Sequence, residues 1–588
     1  MDMRWNLDDL YTSFDSPEFL ADVEKAKKEV AEFGKWAKEN FVTPDNTNAV
    51  QKLEFYINKI NSERTLAKLF SFAHLTRSVE DSNDAAKKYA DVLRSLIAET
   101  SVPTVLFKKF VLDIKDLDAV IESSPLLKEH EFMLKEIVAG SKYLLSEKEE
   151  VLHAKLRTTG SAAWTDMKDE LLSNMRIPVM IKGEEKLLPL PAIRNLATDP
   201  DAETRKNAYY AEMEAYKGVE KATAAALNSI KGEVWTMVKM RGYDSPLHMT
   251  LVTSRLEKGT LDAMISAMED FLPSFRRFYK KKAEVLGHKN GLPFYDVLAP
   301  TSGVKMNFTY EEAMNFVLEQ FYSFSKKMGD MAKHAFDNKW VDAEVRVGKR
   351  GGAFCSNLHH IGQSRIVLNF SGSFGSVNTM AHELGHAYHG LCLRDVPYAN
   401  TIYTMPIAET ASNFCEAIVT DAAIKEASPE EKYAIMEGEL AAAMQVIIDI
   451  YSRFLFESRL FEKRQSGSLS VDEINGLMMQ AQKDAYGDAV DHDCLHKYMW
   501  VNKVHYYYSE RNFYNFPYAY GKLFASGLYA RYLAEGDSFL DKYDALLAAT
   551  GSNSLETVGD LAGINVREKD FWTNSLKLIE QKVDAFCK

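Results

Sequence analysis

No uncharged apolar run in this chain reaches the length needed to span a bilayer. The best candidate, Leu440 to Leu455, is interrupted by Asp449 and Arg453 and is predicted to be a buried helix. Cysteine is scarce. Cys355, Cys392, Cys415, Cys494 and Cys587 are odd in number and include no Cys-x-x-Cys pair. That argues against a disulfide framework and for a reducing compartment. There is no basic excess either. The formal net charge is −13, which argues against nucleic acid as a partner. The first ten residues, Met1 to Leu10, carry acids where a secretory signal needs a basic and then an apolar run. A cytoplasmic location is expected, with no membrane partner. Internal repeats and low-complexity segments are lacking too. What remains, 588 residues at 46% hydrophobic and 26% charged, is ordinary for a soluble globular protein with several domains' worth of core.

Helical periodicity dominates residues 1–170. Ser16-Pro17-Glu18-Phe19 predicts a capped helix to about Asn40, and Thr43-Pro44-Asp45-Asn46 breaks it. A second helix is predicted from about Thr47, then others over Leu66–Leu75, Ala85–Ile97 and Pro125–Glu136. Ser146 with Glu149 makes a capping box for a helix to Arg157. His74, His130 and His153 are isolated and predicted to be core or surface residues. Period two over Met175–Leu188, with Lys182-Gly183-Glu184 between two apolar runs, predicts a hairpin. Asp201–Tyr216, Thr223–Met240 and Thr309–Met328 are again helical in pattern. A boundary near residue 195 divides an N-terminal helical domain, 1–195, from a second domain, 196–588. Gly348 to Phe354 is predicted to be flexible, and Ser364 to Phe370 to be a strand.

Chemistry concentrates just beyond that strand. His382-Glu383-Leu384-Gly385-His386 is a His-Glu-x-x-His motif. On a helix its two imidazoles leave one face a single turn apart, a spacing that suits two ligands of one zinc ion. Glu383 can then take a proton from water on that ion. Ser373 to Asn378 offers an N-cap, and Gly390 a stop. Such a site needs a third ligand. Glu409, a polar residue on a helix of mostly apolar and small residues such as Ala408, Thr410, Ala411, Ser412 and Phe414, is the candidate; an N-terminal helix carboxylate favoured by the helix dipole is the plain alternative. Glu416 can hydrogen-bond a ligand histidine, and His389 is taken as packing or support. A second patch, His505 to Tyr508 and Asn512 to Gly521, is rich in tyrosine, and at least one of its hydroxyls or imidazoles is expected to face the metal and hold an oxyanion. Gly351-Gly352-Ala353 with the following strand suggests a peptide bound as an added edge strand; a tight hairpin turn explains those small residues equally well.

Together, His382 to His389 and Glu409 to Glu416 resemble the M3 family of zinc metallopeptidases. Trp5 to Tyr11, Gly348 to Phe354 and Phe513 to Gly521 narrow the resemblance to the oligoendopeptidase F branch. It implies a mainly α fold with a deep enclosed channel, a small sheet beside the zinc helix, and cleavage of short unstructured peptides. It makes His382, His386 and Glu409 the ligands of one Zn2+ per chain and Glu383 the base. It assigns contact with the substrate carbonyl to His505, Tyr514 and Tyr518, with Tyr520 as a substitute. The expected function is a zinc-dependent endopeptidase, acting as a monomer. The alternatives are a carboxypeptidase on the same scaffold and an inactive helical peptide-binding protein. Intact Glu383 argues against the second.

Overall fold

The computed structural model describes residues 2–42, 48–304 and 306–588. The breaker at Thr43 to Asn46 and the helix start at Thr47 lie outside the described residues. Helix follows helix along the chain, with two small sheets among the described residues. Ser16 caps the helix Pro17–Phe41, its hydroxyl accepting from the Phe19 N–H at 3.2 Å. Glu149 and Ser146 complete the capping box of the helix Glu147–Thr159. Phe19, Val23 and Ala26 face a core shared with Leu69, Phe72 and Leu93. That core also takes in Leu358, from far along the chain. A neighbouring core gathers Phe41, Leu53, Phe107 and Leu134.

Two expected helices are each split in two. The helix expected over Pro125–Glu136 breaks at His130 into Pro125–Glu129 and Glu131–Ser141. The Asn400 side chain takes the Glu129 carbonyl that an unbroken helix would use. The buried His130 ring fills the corner between Leu126 O, at 2.8 Å, and Asn61, at 2.9 Å. The helix expected over Thr309–Met328 ends at Phe324. Ser325 is extended, and its hydroxyl caps a new helix, Lys326–Asp337, by accepting from Met328 N–H.

The hairpin forms as expected. Strands β1 (Arg176–Ile181) and β2 (Glu184–Pro189) are antiparallel. Lys182 and Gly183 both have positive φ, 52° and 82°, which gives the two-residue turn that matches strand twist. Its buried residues Ile177 and Val179 pack with Ala208, Leu227 and Trp500, on the far side of residue 195.

The second sheet has β3 (Val341–Asp342), β4 (Phe354–Leu358) and β5 (Gln363–Val367) in the order β3-β5-β4. β5 stops three residues short of the expected Phe370. Its partner β3 is brief, because the Ala343 N–H turns away to Met3 O at 2.7 Å. Leu368 and Phe370 N–H groups still donate to Asp342 O and Ala343 O. The segment expected to be flexible, Gly348–Phe354, is pinned instead. The side chain of Lys349 is fully buried against Asp342 at 2.7 Å and donates to three carbonyls. Arg350 N–H donates to Ser78 O, and Asn369 Nδ2 donates to the carbonyls of Arg350 and Gly352. The largest core surrounds the motif helix, Phe374–Cys392, with Val377, Met380, Ala381 and Leu384 wholly buried. No helix among the described residues is long and apolar enough to cross a membrane.

Candidate metal centre

Ser373 caps the motif helix, its hydroxyl accepting from Ser376 N–H. The helix runs past Gly390 to Cys392, so Gly390 is not its stop. A side chain at Gly390 would strike Asn357, so the glycine admits β4 alongside the helix. Asn357 Nδ2 donates to His386 O at 3.2 Å. Gly385 serves the opposite side. A Cβ there would lie 2.6 Å from both Ala411 O and Ser412 Cα, so the helix Thr410–Glu426 packs backbone to backbone against the motif helix.

That close approach brings Glu409 to the histidines. Glu409 is the hinge residue between the short turn Met405–Ala408 and the helix Thr410–Glu426. Its Oε2 lies 3.2 Å from His382 Nε2 and 3.6 Å from His386 Nε2. The Ser412 hydroxyl donates to the same carboxylate at 3.1 Å, and Ser412 and Asn413 side chains hold the Glu409 carbonyl. Among the described residues, His382, His386 and Glu409 are the group whose ligand atoms converge closely enough for a metal ion. Glu416 Oε1 is 2.6 Å from His382 Nδ1, and Lys522 backs Glu416 at 3.6 Å. Nδ1 of His382 therefore donates to Glu416, which turns its Nε2 towards Glu409 as the atom that could hold a metal.

The electrostatics fit a divalent cation. Burial opposes a charged Glu409, but His382, His386 and Ser412 outweigh it and hold the acid down to about 2, ionised at any ordinary pH. Burial and then the His382 charge lower His386 to about 4, leaving it neutral with a lone pair. For His382, burial favours the neutral ring, yet the hydrogen bonds and charges of Glu409 and Glu416 raise it to about 10. A cation on Nε2 would take the place of that proton. Burial, above all, raises Glu383 to about 7. Its Oε2 is buried and has no hydrogen-bond partner. An orphaned carboxyl oxygen beside three converging ligand atoms is where a water on the ion would be received.

The downstream residues also come in. The helix Phe516–Glu535 presses on the hinge, where a Cβ at Gly521 would lie 2.9 Å from Glu409 Cβ. Tyr518, one turn earlier on the same face, has its phenol raised by burial, by Tyr514 and by the Glu409 charge. The Tyr514 hydroxyl contacts Met405 Sδ at 3.9 Å. The ring centroid of His505 is 4.8 Å from that of Tyr514 and 6.5 Å from that of Tyr518. Tyr508 joins this group at 6.0 Å from both His505 and Tyr514. Tyr506, Tyr507 and Tyr520 are buried in the core, and Tyr520 packs on Trp572. Of the small residues, Gly352 has φ 80°, a conformation open to glycine, while Gly351 is unconstrained and Ala353 leads into β4. One edge of β4 pairs with β5, and among the described residues no strand pairs with the other. His389 stacks on Tyr403 and bonds Thr550, a packing role. Sequence reasoning passed over Cys355, whose thiol feels the Glu383 charge, and Asn357 and Asn515. Cys355 and Asn357 sit in stretches without a motif, and Asn515 lies in the tyrosine-rich patch where the hydroxyls drew the attention; only the fold brings them to the site.

The chain as a whole is similar to known peptidases. The family model described as peptidase family M3 matches residues 195–578, and one described as oligopeptidase F matches residues 111–177. Oligopeptidase PepF of Bacillus subtilis is 25% identical over 595 residues, 99% of this chain and 86% of that one. Group B oligopeptidase PepB of Streptococcus agalactiae is 25% identical over 540 residues, 90% and 89% of the two chains. A crystal structure of a peptidase described as putative from Chlamydophila abortus shares the fold at TM-score 0.85 and 22% identity, covering 99% of this chain and 98% of that one. Oligoendopeptidase-F from Enterococcus faecium does so at 0.70 and 19%, covering 97% and 98%. With a family match over more than half its length, and with two histidines and a carboxylate converging closely enough to hold an ion, the chain belongs to peptidase family M3 and is a metalloendopeptidase, whose chemistry calls for a divalent metal ion.

Proposed function

We propose that the metal is one zinc ion per chain on His382 Nε2, His386 Nε2 and Glu409, and that the enzyme cuts internal bonds of short, unstructured peptides. The observation that carries this reading is the orphaned carboxyl of Glu383 beside three converging ligand atoms. Zinc bound there would supply a Lewis acid for the scissile carbonyl and make water a nucleophile near neutral pH. Glu383, poised at about 7, takes the proton of the attacking water and passes it to the leaving amine. Tyr514 and Tyr518 hydroxyls donate to the oxyanion, and His505 contacts the peptide beside them.

The free edge of β4, led by Gly351-Gly352-Ala353, receives the substrate main chain as an added strand. The path continues into a cavity of about 400 Å3 between the N-terminal helices and the end of β4, lined by Val30, Phe33, Arg64, Phe70, Asn357 and Tyr398. On this reading residues 1–195 are a helical domain that walls the path and 196–588 carry the chemistry. Five free cysteines support a cytoplasmic location, and we take the unit to be a monomer. An inactive peptide-binding protein would have no use for Glu383. A carboxypeptidase would have to recognise a free chain end, and the open β4 edge favours an internal stretch. The test is Glu383→Gln assayed on a quenched peptide blocked at both ends. Turnover is expected to fall about 10²- to 10⁴-fold with zinc retained, and the wild type to cut internally. Wild-type rates from the variant would refute the base assignment, and no cleavage of the blocked peptide by the wild type would refute the endopeptidase.

A further inference from the structure

The helix Pro429–Met444 passes through a π turn, Gln445–Asp449, into the helix Ile450–Arg464. Such turns often mark functional sites. This one buries Asp449, and Arg453, one turn on, pairs with it. The two charges expected to interrupt a buried helix thus satisfy each other. Arg453 Nη1 lies 3.0 Å from Asn515 Oδ1, and His505 Nδ1 lies 3.0 Å from that same oxygen.

These contacts fix a proton. A guanidinium can only donate, so the Asn515 atom facing Arg453 is the carbonyl oxygen and not the amide nitrogen. A carbonyl oxygen can only accept, so His505 Nδ1 carries a hydrogen. A neutral imidazole has one N–H, so Nε2 keeps its lone pair. Burial, first, and then the charges of Arg453 and Lys503 favour the neutral ring over the opposing pulls of Asn515 and Glu457. The remaining neighbours are the rings of Tyr508, Tyr514 and Tyr518. The segment leading into Asn515 is held firmly. Phe513, two residues before it, is buried with φ 52°, a strained conformation for a bulky residue. The Phe513 ring packs on Phe454 and Phe461. Asn512 is tied to the fully buried Lys231 at 2.8 Å and to Thr250 at 2.9 Å.

We propose that Asp449, Arg453 and Asn515 position His505 as the Nδ1–H tautomer, so that its Nε2 meets the peptide as a hydrogen-bond acceptor for a main-chain N–H. The proposal rests on the reading that His505 faces the substrate. His505 then orients the peptide, and the oxyanion is left to the tyrosine hydroxyls.

The test uses full-length, metal-loaded enzyme carrying 15N-labelled histidine, with His505→Ala to identify the resonance. Near neutral pH the wild type is expected to show hydrogen at Nδ1 and none at Nε2. Asn515→Leu should release the tautomer and lower kcat/KM about tenfold, the worth of one ordinary hydrogen bond, at unchanged metal content. Asn515→Asp keeps an acceptor for both Arg453 and Nδ1, which guards against a folding defect, but its charge favours the imidazolium. Its kcat/KM should therefore decline at a higher pH than the wild type's as pH is lowered, because a protonated Nε2 cannot accept. A gain of activity by Asn515→Asp on acidification, or a hydrogen on Nε2 in the neutral wild type, would overturn the proposal. Wild-type kcat/KM from His505→Ala would instead remove His505 from the substrate, and the acceptor role with it, whatever its tautomer.

Discussion

Glu383 and Glu409 are both carboxylates close to His382, yet their surroundings move their acidities in opposite directions. Glu409 is held by Ser412 and by both histidines and stays ionised down to about 2, as a ligand must. Glu383 has a buried oxygen without a partner and titrates near 7, as a proton carrier should. Glu416 acts one step removed. Its bond to Nδ1 aims the His382 ring, so Glu416→Ala is expected to weaken zinc binding about 10- to 100-fold, measured by competition with a chromogenic chelator; unchanged affinity would make Glu416 a bystander. The metal-free His382 titrates at about 10 because two carboxylates outweigh its burial. It is thus protonated at neutral pH, and a metal must displace that proton. Zinc binding near pH 8 should release about one proton per ion and weaken as pH falls, read by calorimetry in buffers of differing ionisation enthalpy. Binding without proton release would contradict the raised value.

At the scale of elements, the site depends on how closely two helices approach. Gly385 lets the motif helix touch the backbone of Ala411 and Ser412. Gly385→Ala should force the pair apart, costing about 1–3 kcal/mol of stability and lowering zinc occupancy, read by denaturant unfolding and metal analysis. A variant of wild-type stability would show the contact to be slack. The motif helix was legible in sequence because two histidines and a glutamate at fixed spacing carry one chemistry. Ser16, the Ser146 box and the Lys182-Gly183 turn were legible because caps and turns are local. The breaks at His130 and Ser325 were not: Asn400, 270 residues away, takes the carbonyl at one, and at the other a serine that could sit in a helix serves as a cap. The pinning of Gly348–Phe354 was hidden too, since Lys349 looks like any surface lysine until the fold wraps the Asp342 carboxylate and the carbonyls of Asp342, Glu344 and Leu368 around it.

At the scale of the molecule, the N-terminal helices and the metal region meet through β4. Leu358 belongs to the N-terminal core while Cys355 and Asn357, on the same strand, lie against the motif helix. A peptide laid along that strand would run from the site towards the cavity under the N-terminal helices. All of this requires that one ion sit where His382, His386 and Glu409 converge. The most direct measurement is a crystal structure of the zinc-loaded protein with anomalous data collected at the zinc edge. The expected result is one peak about 2.0–2.2 Å from His382 Nε2, His386 Nε2 and a Glu409 oxygen, with Glu383 beside the remaining coordination position. Glu409 turned away from both rings, with no peak between them, would contradict it.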